Sequence, residues 1–545
     1  MNLAQEIKAL IGGDTDDSPE VLKKFSRDAS LFEVMPKIVV FPKDAQDIKA
    51  VVKWVSENKK NDPSLSITAR AAGTDMSGAA VGESIILDTT RYMHGVLSLS
   101  ETEATVLPGT FYRDFEVETL KKGAILPCYT ASKNLNALGG MVGNNCAGEK
   151  TLKYGKMENY VRSLKIVLRD GNEYAVRPLS KPELEGKMAQ RNVEGEMYRS
   201  LYDLIIKNED KIQAAKPRVS KNSAGYYLWN VWDGKTFDLC KLIVGSQGTF
   251  GIVTEITVRL VPVKKLSKLF VVFMPTLDRL GDIVNDILPF GPESLESYDD
   301  STMDLAVKFM PDMMKNMKPW NFMRLAARFL PEAWMALTGG MPKLVLLVEF
   351  SGDDEAEIDS TIGKLEEKIR PYGFKMRRAK SEADSEKYWI IRRESFNLLR
   401  KHVTGRRTAP FVDDVVVRPE SMPEFLPKMR KILDDYKLWY TIAGHAGNGN
   451  FHIIPLMDMT DPSNARAIAE VSDKIYDLVV SYKGSITAEH NDGIVRTPYL
   501  EKMYGPEIVE LFRRTKDIFD PANIFNPGKK VGGTKEYMMS RLVRS

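Results

Sequence analysis

Three of the five histidines in this 545-residue chain fall within one short C-terminal stretch. His445 and His452 are separated by a glycine-rich turn, and Glu489 directly precedes His490. Two imidazoles and a carboxylate leave an open position on a divalent metal, as catalytic zinc sites do. A hydroxyl bound to such a metal becomes more acidic, and a neighbouring histidine can then remove its proton. The cluster therefore predicts oxidation of a secondary alcohol, with an electron-accepting cofactor opposite the metal.

Three glycine-rich segments lie in the first 260 residues, each beside a predicted strand. We call 70–80, 138–148 and 244–251 the first, second and third segments; all three are predicted to be loops. Because glycine has no Cβ, such loops bring backbone N–H groups close to an anion. Together they favour a cofactor with a pyrophosphate. The GxGxxG and Walker patterns are missing, which argues against a Rossmann dehydrogenase and a P-loop ATPase.

The remaining pattern predicts the elements that position these residues. β-branched runs at 38–41, 65–69 and 84–88 predict strands, and apolar residues at helical spacing after 44 predict a helix. From about residue 266, strand-like runs alternate with helical stretches such as 354–370 and 462–482. This predicts an α+β fold, a sheet covered by helices, with a domain boundary near 266.

Composition narrows the class of protein. Hydrophobic residues make up 43% and charged residues 28%, and 77 basic residues balance 74 acidic ones, so no nucleic-acid partner is indicated. The three cysteines lack the close spacing of an iron–sulfur cluster. Neither a signal peptide nor an apolar run of about 18 residues is visible, so we expect a cytoplasmic protein that does not span a membrane.

These motifs resemble those of the FAD-linked 2-hydroxyacid dehydrogenases of the vanillyl-alcohol oxidase/p-cresol methylhydroxylase fold. The group includes D-lactate dehydrogenases, the glycolate oxidase flavin subunit and D-2-hydroxyglutarate dehydrogenases. The resemblance extends from Ser26-Arg27-Asp28 to Asn526-Pro527-Gly528-Lys529, nearly the whole chain. It implies a two-part FAD-binding domain of the p-cresol methylhydroxylase type, formed by 1–265 and by a C-terminal segment 483–545 that returns to it. An α+β substrate cap, 266–482, lies between these two parts.

The resemblance also implies which residues bind FAD. In the third segment, Gln247 stands where glutamate is common in the family. The first segment contains no histidine for a covalent flavin bond, so non-covalent FAD is expected. The implied FAD-binding residues are Arg70, Ala72, Gly73, Thr74, Asp75, Ser77, Gly78, Gly139, Gly140, Gly143, Asn144, Asn145, Gly248, Thr249, Ile252 and Asn526.

In the same way, the resemblance assigns the chemistry. It implies that His445, His452 and Glu489 hold a divalent metal, usually zinc, and that His490 is the base. Arg393 resembles the arginine that binds the substrate carboxylate, with Arg392 as a competitor for that role. Hydride would pass from the α-carbon to flavin N5, giving a 2-oxo acid.

The chain departs from the family pattern in three motifs. Glu489-His490-Asn491-Asp492 replaces the usual EHGD. Asn448 replaces the aspartate of the family's HxGDGNxH motif. Val412 stands where some hydroxyglutarate enzymes have a lysine for the distal carboxylate, so D-lactate and D-2-hydroxyglutarate both stay open. Without an iron–sulfur domain, electrons are expected to leave to a separate quinone or carrier protein.

The stretch 303–341 holds eight of the 25 methionines, interleaved with aromatic and basic residues. Such a surface can contact a membrane or an electron acceptor, and the alternative is a helical cap over the active site. A homodimer is a further expectation.

Three other functions stay open at this stage. One is a redox-neutral transferase resembling alkylglycerone-phosphate synthase. A second is an FAD-binding scaffold without turnover. The third is a zinc hydrolase that uses the same ligands.

Overall fold

The structure is a computed structural model that describes residues 3–304, 341–402 and 405–544, with the side chains of 394–402 left out. The methionine-rich stretch 303–341 lies outside the described residues except at its two ends, so its role stays a prediction. Within the described ranges, no helix combines the length and apolar character needed to cross a membrane.

A four-stranded sheet forms the N-terminal layer. Its strand order is Asp14–Asp16, Ile38–Phe41, Ile85–Asp88 and Ile67–Arg70, and the last three strands are parallel. The helix Ala45–Asn58 covers this sheet with Ile48, Val51, Val52 and Val55, as the helical spacing predicts. It begins at Asp44, whose carboxylate accepts hydrogen bonds from the amides of Gln46 and Asp47. Two short helices, Leu3–Lys8 and Pro19–Phe25, flank the layer.

An antiparallel sheet of five strands lies next in the chain. Its order is Val96–Leu99, Glu103–Val106, Ile252–Arg259, Val161–Val167 and Glu173–Val176. Along Ile252–Arg259 buried and half-buried residues alternate, which is the pattern of a strand with one face on the core. The helices of this region are Tyr112–Leu120, Leu138–Asn144, Thr151–Tyr154, Lys181–Met188, Val193–Lys207, Glu209–Ala215 and Cys240–Ile243. Two strand pairs complete it, Leu179–Ser180 with Thr236–Phe237 and Ala124–Ile125 with Val261–Pro262.

The cap is built on an eight-stranded antiparallel sheet. Seven strands follow the order Lys375–Arg378, Leu266–Met274, Leu344–Gly352, Ser294–Asp299, Trp439–His445, Asn450–Met457 and Arg407–Thr408, and Val415–Val416 also pairs with Asn450–Met457. Phe270, Val272 and Met274 share one core with apolar residues of the helices Leu280–Ile287, Glu355–Ile369, Met422–Asp435 and Pro462–Ser481. Leu269, Val271 and Phe273 face the helix Glu382–His402 on the other side.

The C-terminal segment runs back to the first sheet. Its helices are Gly493–Arg496, Leu500–Tyr504, Pro506–Phe519 and Lys535–Ser540. Phe525 forms a parallel bridge with Ile67, and the amide of Asn526 donates to the Ile67 carbonyl over 2.9 Å. The C-terminal segment therefore joins the four-stranded sheet at its edge strand Ile67–Arg70.

The prediction of a loop over the whole second segment is wrong. Leu138–Asn144 form a short helix that ends at Asn145, which has the left-handed φ of 50°. Leu138, Met141 and Val142 are buried, and their spacing places them on one helical face. Burial of this face outweighs the low helix propensity of the glycines.

Candidate active site

A cleft that is open to solvent, with about 860 Å³ of space including that solvent, is lined by residues of the four-stranded and the five-stranded sheet. All three glycine-rich segments contribute to its wall, together with the start of the strand Ile252–Arg259. The implied FAD-binding residues that line it are Arg70, Ala72, Gly73, Thr74, Asp75, Gly139, Gly140, Gly143, Asn144, Gly248 and Ile252. The three segments are therefore brought together, although the second is helical.

Glycines keep this cleft open. A Cβ on Gly140 would have Ala71 Cβ as its nearest neighbour, at 3.7 Å, and one on Gly143 would have Gln247 Cα at 4.0 Å. Side chains at these two positions would project into the empty space. Gly248 has a φ of +68°, a conformation that suits glycine. Such a cradle of small residues and accessible backbone fits a large cofactor with a pyrophosphate.

The other implied FAD-binding residues, Ser77, Gly78, Asn145, Thr249 and Asn526, do not line the cleft. Asn526 Nδ2 donates to the carbonyls of Ala79, over 3.0 Å, and Gln247, over 2.7 Å. Gln247 Nε2 in turn donates to Ser77 Oγ over 3.0 Å. These side chains therefore connect the first and third segments through hydrogen bonds outside the lining of the cleft.

The histidine cluster lies on a hairpin of the cap sheet. His445 ends one strand and His452 lies in the next, and Gly449 closes the turn with a φ of +68°. Beside the hairpin runs the segment 485–493, which we call the strap. Glu489 Oε1 lies 3.1 Å from His445 Nε2 and 3.1 Å from His452 Nε2.

This spacing fits a divalent metal. Zinc bonds of 2.0–2.1 Å at the tetrahedral angle separate ligand atoms by about 3.3 Å. Of the predicted ligands, His445 and Glu489 are buried and His452 is partly buried, and the two ring nitrogens converge on one oxygen of Glu489. Such a set would supply three ligands to a metal and leave a fourth position open.

Buried carboxylates orient the two outer histidines. His445 Nδ1 lies 2.5 Å from Glu296 Oε1, and His490 Nδ1 lies 2.8 Å from Asp413 Oδ2. Each contact directs the Nε2 atom of the ring toward Glu489, as carboxylate–histidine pairs do in metal sites. His490 Nε2 is 4.0 Å from Glu489 Oε1, so this ring stands just outside the three ligands.

Asp414, His452, Glu489 and His490 also form a group that could hold a metal ion, since one possible ligand atom from each lies within 4.8 Å of the others. Its Oδ2 accepts hydrogen bonds from the Thr487 hydroxyl and from the amides of Ala488, Glu489 and His490. Its Oδ1 accepts one from Asn450 Nδ2 over 3.0 Å. With its oxygens engaged in this way, Asp414 holds the strap in place, and His445, His452 and Glu489 remain the predicted ligands.

The charges of the site shift its pKa values. Burial alone would raise the pKa of Glu489, but Lys221 and His445 hold it well below the usual value. Burial alone would lower the pKa of His490, but Asp413 and Asp414 raise it to about 10. At this pKa the His490 ring holds a proton at neutral pH, and a divalent cation bound at Glu489 would lower the pKa again.

Arg393 lies outside this cluster. Its half-exposed guanidinium contacts Glu149 through two bonds, Nη2 to Oε1 over 2.7 Å and Nε to Oε2 over 3.2 Å. Its neighbour Arg392 contacts Glu296, which also holds His445. The substrate role of Arg393 stays a prediction.

Sequence reasoning missed several residues of the site. Asp413 and Asp414 stand together in an apolar run, a signal that was available. Arg496, fully buried against Asp413, and Lys221, fully buried against Glu489, have no such local signal.

Comparison with known proteins identifies the family. A model described as "FAD binding domain" matches residues 36–176, and one described as "FAD linked oxidases, C-terminal domain" matches residues 263–530. The chain belongs to the FAD-linked oxidases. The expected family resemblance is thus confirmed.

Among curated relatives, this FAD-linked oxidase is similar to three kinds of enzyme. D-2-hydroxyglutarate dehydrogenase of Escherichia coli is 27% identical, over 97% of this chain and 51% of the relative. D-lactate dehydrogenase of Archaeoglobus fulgidus is 27% identical, over 91% of each chain. Glycolate oxidase subunit GlcD of Bacillus subtilis is 25% identical, over 94% of this chain and 93% of the relative. The chain spans about half the length of the first of these and of several other D-2-hydroxyglutarate dehydrogenases that it matches.

Solved structures confirm the fold class. p-Cresol methylhydroxylase with substrate bound is 15% identical, with a TM-score of 0.69 over 98% of this chain and 96% of that one. Alkyldihydroxyacetonephosphate synthase is also 15% identical, with a TM-score of 0.67 over 96% of this chain and 85% of that one. The FAD-linked oxidase therefore has the expected p-cresol methylhydroxylase type of fold.

Proposed function

We propose that this FAD-linked oxidase oxidises a D-2-hydroxy acid, of the D-lactate or D-2-hydroxyglutarate type, to the 2-oxo acid. FAD occupies the cleft without a covalent bond, and His445, His452 and Glu489 hold a divalent metal, zinc by preference. The names of the curated relatives support this substrate class. The electrons leave to a separate quinone or carrier protein.

One observation carries the proposal: the strap connects the histidine cluster to the cleft. Asn491 Nδ2 donates to the carbonyls of Gly245, over 2.9 Å, and Asn144, over 3.3 Å, in the third and second segments. The amide of Gly493 donates to Gln247 Oε1 over 2.9 Å. Glu489, the proposed metal ligand in the strap, and His490, the proposed base, are thus only a few residues along the chain from the wall of the cleft.

In this mechanism the chain's own residues orient the substrate and move its proton. FAD, when bound, supplies the acceptor for the hydride of the α-carbon, and a divalent metal lowers the pKa of a hydroxyl bound to it. His490 accepts the hydroxyl proton at Nε2, while Asp413 at Nδ1 fixes the orientation of the ring. Arg393 binds the substrate carboxylate, and must leave Glu149 to do so.

Anaerobic flavin reduction tests this function. The purified yellow protein is mixed with D-lactate, glycolate, D-2-hydroxyglutarate or D-malate, before and after treatment with a chelator. We expect one acid to bleach the flavin rapidly, and chelation to abolish the bleaching. If no acid bleaches bound FAD, the dehydrogenase proposal is wrong; bleaching that survives complete metal removal contradicts the metal's role.

A further inference from the structure

Lys221 lies deeper in the site than any of the cations that the sequence singled out. Its side chain is fully buried, and Nζ lies 3.2 Å from Glu489 Oε2. Within the described parts of the chain, Nζ forms this hydrogen bond and no other. The contact joins residues 268 positions apart in the sequence.

The backbone around Lys221 is fixed on both sides of the site. Ser220 Oγ donates to the carbonyl of Asn448 over 3.0 Å, in the turn between His445 and His452. The amide of Ser223 donates to the carbonyl of Thr487 over 2.9 Å, in the strap. Lys221 is therefore held between the two segments that supply the proposed metal ligands. The hydrogen bonds of its neighbours Ser220 and Ser223 fix its position.

The two oxygens of Glu489 have different partners. Oε1 faces His445 Nε2 and His452 Nε2, and Oε2 faces the ammonium of Lys221. A carboxylate can bind a metal through one or both oxygens. A lysine on Oε2 leaves one oxygen for the metal, and the position that the second oxygen would fill stays open.

The charge of Lys221 acts in the same direction. A buried ammonium weakens the attraction between a nearby carboxylate and a divalent cation, because it offsets the carboxylate's charge in a medium that screens poorly. Folding stability alone does not explain a buried lysine here, because an apolar residue of similar volume is often at least as stabilising. The position is better explained by the metal site.

We propose that Lys221 is a positioning residue that restricts Glu489 to one-oxygen coordination, which weakens metal binding and keeps a position open for the substrate. The inference rests on the proposed metal site and deepens it. It makes an unusual prediction. Removal of Lys221 strengthens metal binding while it slows turnover, whereas a merely structural defect would weaken both.

The main experiment compares wild-type protein with Lys221→Met, both loaded with FAD and stripped of metal, in titrations with Zn²⁺ and Co²⁺. We expect Lys221→Met to bind each metal about 10-fold more tightly, the lower end of the effect of residues that contact ligands. The visible Co²⁺ band should become weaker, because binding of the second oxygen of Glu489 raises the coordination number. The kcat for the hydroxy acid should fall about 10-fold.

Two further variants separate charge from hydrogen bonding. Lys221→Arg keeps the cation and should retain the wild-type affinity within about 2-fold. Lys221→Gln keeps an N–H donor for Oε2 without the charge, so the Co²⁺ band should stay as in the wild type while affinity rises. Lys221→Gln also replaces Lys221→Met if the latter does not fold.

Lys530→Met is the matched control. Lys530 is also fully buried and pairs with a carboxylate of the strap region, Asp492, over 2.7 Å, but it touches none of the three metal ligands. We expect no gain in metal affinity from this change. Unchanged or weaker metal binding by both Lys221→Met and Lys221→Gln overturns the inference. Absence of metal binding by the wild type overturns the proposed metal site and this inference with it.

Discussion

The cleft and the proposed metal site, called the metal centre below, lie side by side, but they are built from different kinds of residue. Small side chains shape the cleft, and the absence of a Cβ at Gly140 and Gly143 leaves its wall accessible. Paired charges shape the metal centre, where Asp413 and Arg496 are both fully buried. The cleft should therefore be sensitive to added volume, and the metal centre to the loss of one partner of a pair.

The largest expected effect comes from His490→Ala, which should impair the chemistry at the metal centre and leave FAD binding in the cleft intact. Loss of the base slows flavin reduction by the hydroxy acid about 1,000-fold, within the range of general-base catalysis. FAD should stay bound, since His490 does not line the cleft. Anaerobic stopped-flow spectroscopy measures the rate, and the flavin spectrum gives the occupancy. Fast reduction by this variant would contradict the assignment of the base.

Asp414→Ala should have the next largest effect, on stability. The change removes the acceptor for the Thr487 hydroxyl and for three successive amides of the strap. Hydrogen bonds to a charged group contribute about 1.5–3 kcal/mol each, and buried donors left without partners add a penalty, so we expect a loss of at least about 3 kcal/mol in the free energy of unfolding.

Urea unfolding of the FAD-loaded protein measures this loss. Asp458→Ala is a suitable control, since Asp458 accepts hydrogen bonds from the amide and hydroxyl of Thr460 in an exposed turn. We expect the control to lose no more than about 1 kcal/mol. Equal losses in the two variants would mean that the strap does not depend on Asp414.

Much of the fold could be predicted because its signals are local. Helical spacing after 44 and the pattern at 462–482 agree with the helices Ala45–Asn58 and Pro462–Ser481. The helix at Leu138–Asn144 was missed because its glycines suggested a loop, although Leu138, Met141 and Val142 show helical spacing. Glycine content shows which backbone conformations are possible, and burial of the apolar side chains determines which of these conformations forms.

The residues of the candidate site also divide into those that a local sequence pattern marks and those that it does not. His445, His452 and the Glu489-His490 pair stand close in sequence, so residue type and spacing point to them. Lys221 and Glu296 reach the same site from segments that are 268 and 149 residues away from their partners. No local pattern marks them, because only the assembled sheets place them there.

Gly140→Val tests whether the cleft is sensitive to added side-chain volume. The valine side chain would project into the space assigned to FAD, and we expect FAD affinity to fall about 30-fold from lost contacts and displaced volume. Metal binding should be unchanged, because Gly140 lies away from the three ligands. Flavin fluorescence and metal titration measure the two effects.

The matched control for this change is Gly186→Val. Gly186 also lies within a short helix, and a Cβ there would meet nothing within 4 Å. Both variants therefore place a β-branched residue in a helix, but only one of them fills the cleft. If the two variants lose FAD to the same extent, the effect is on helix stability and the cleft does not hold the cofactor.

The smallest expected effect concerns Arg393, which belongs to neither region and is held by Glu149. Ion pairs that reach the surface contribute about 0–1 kcal/mol, so Glu149→Gln should leave stability nearly unchanged. If Arg393 binds the substrate carboxylate, it no longer has to leave a charged partner, and KM for the hydroxy acid should fall about 3-fold. Glu366→Gln is the control, since Glu366 also accepts two hydrogen bonds from an arginine of the cap, Arg378, through its Oε2. An unchanged KM in Glu149→Gln, equal to that of the control, would assign the carboxylate to another cation and leave the cleft and the metal centre as the two parts of the site.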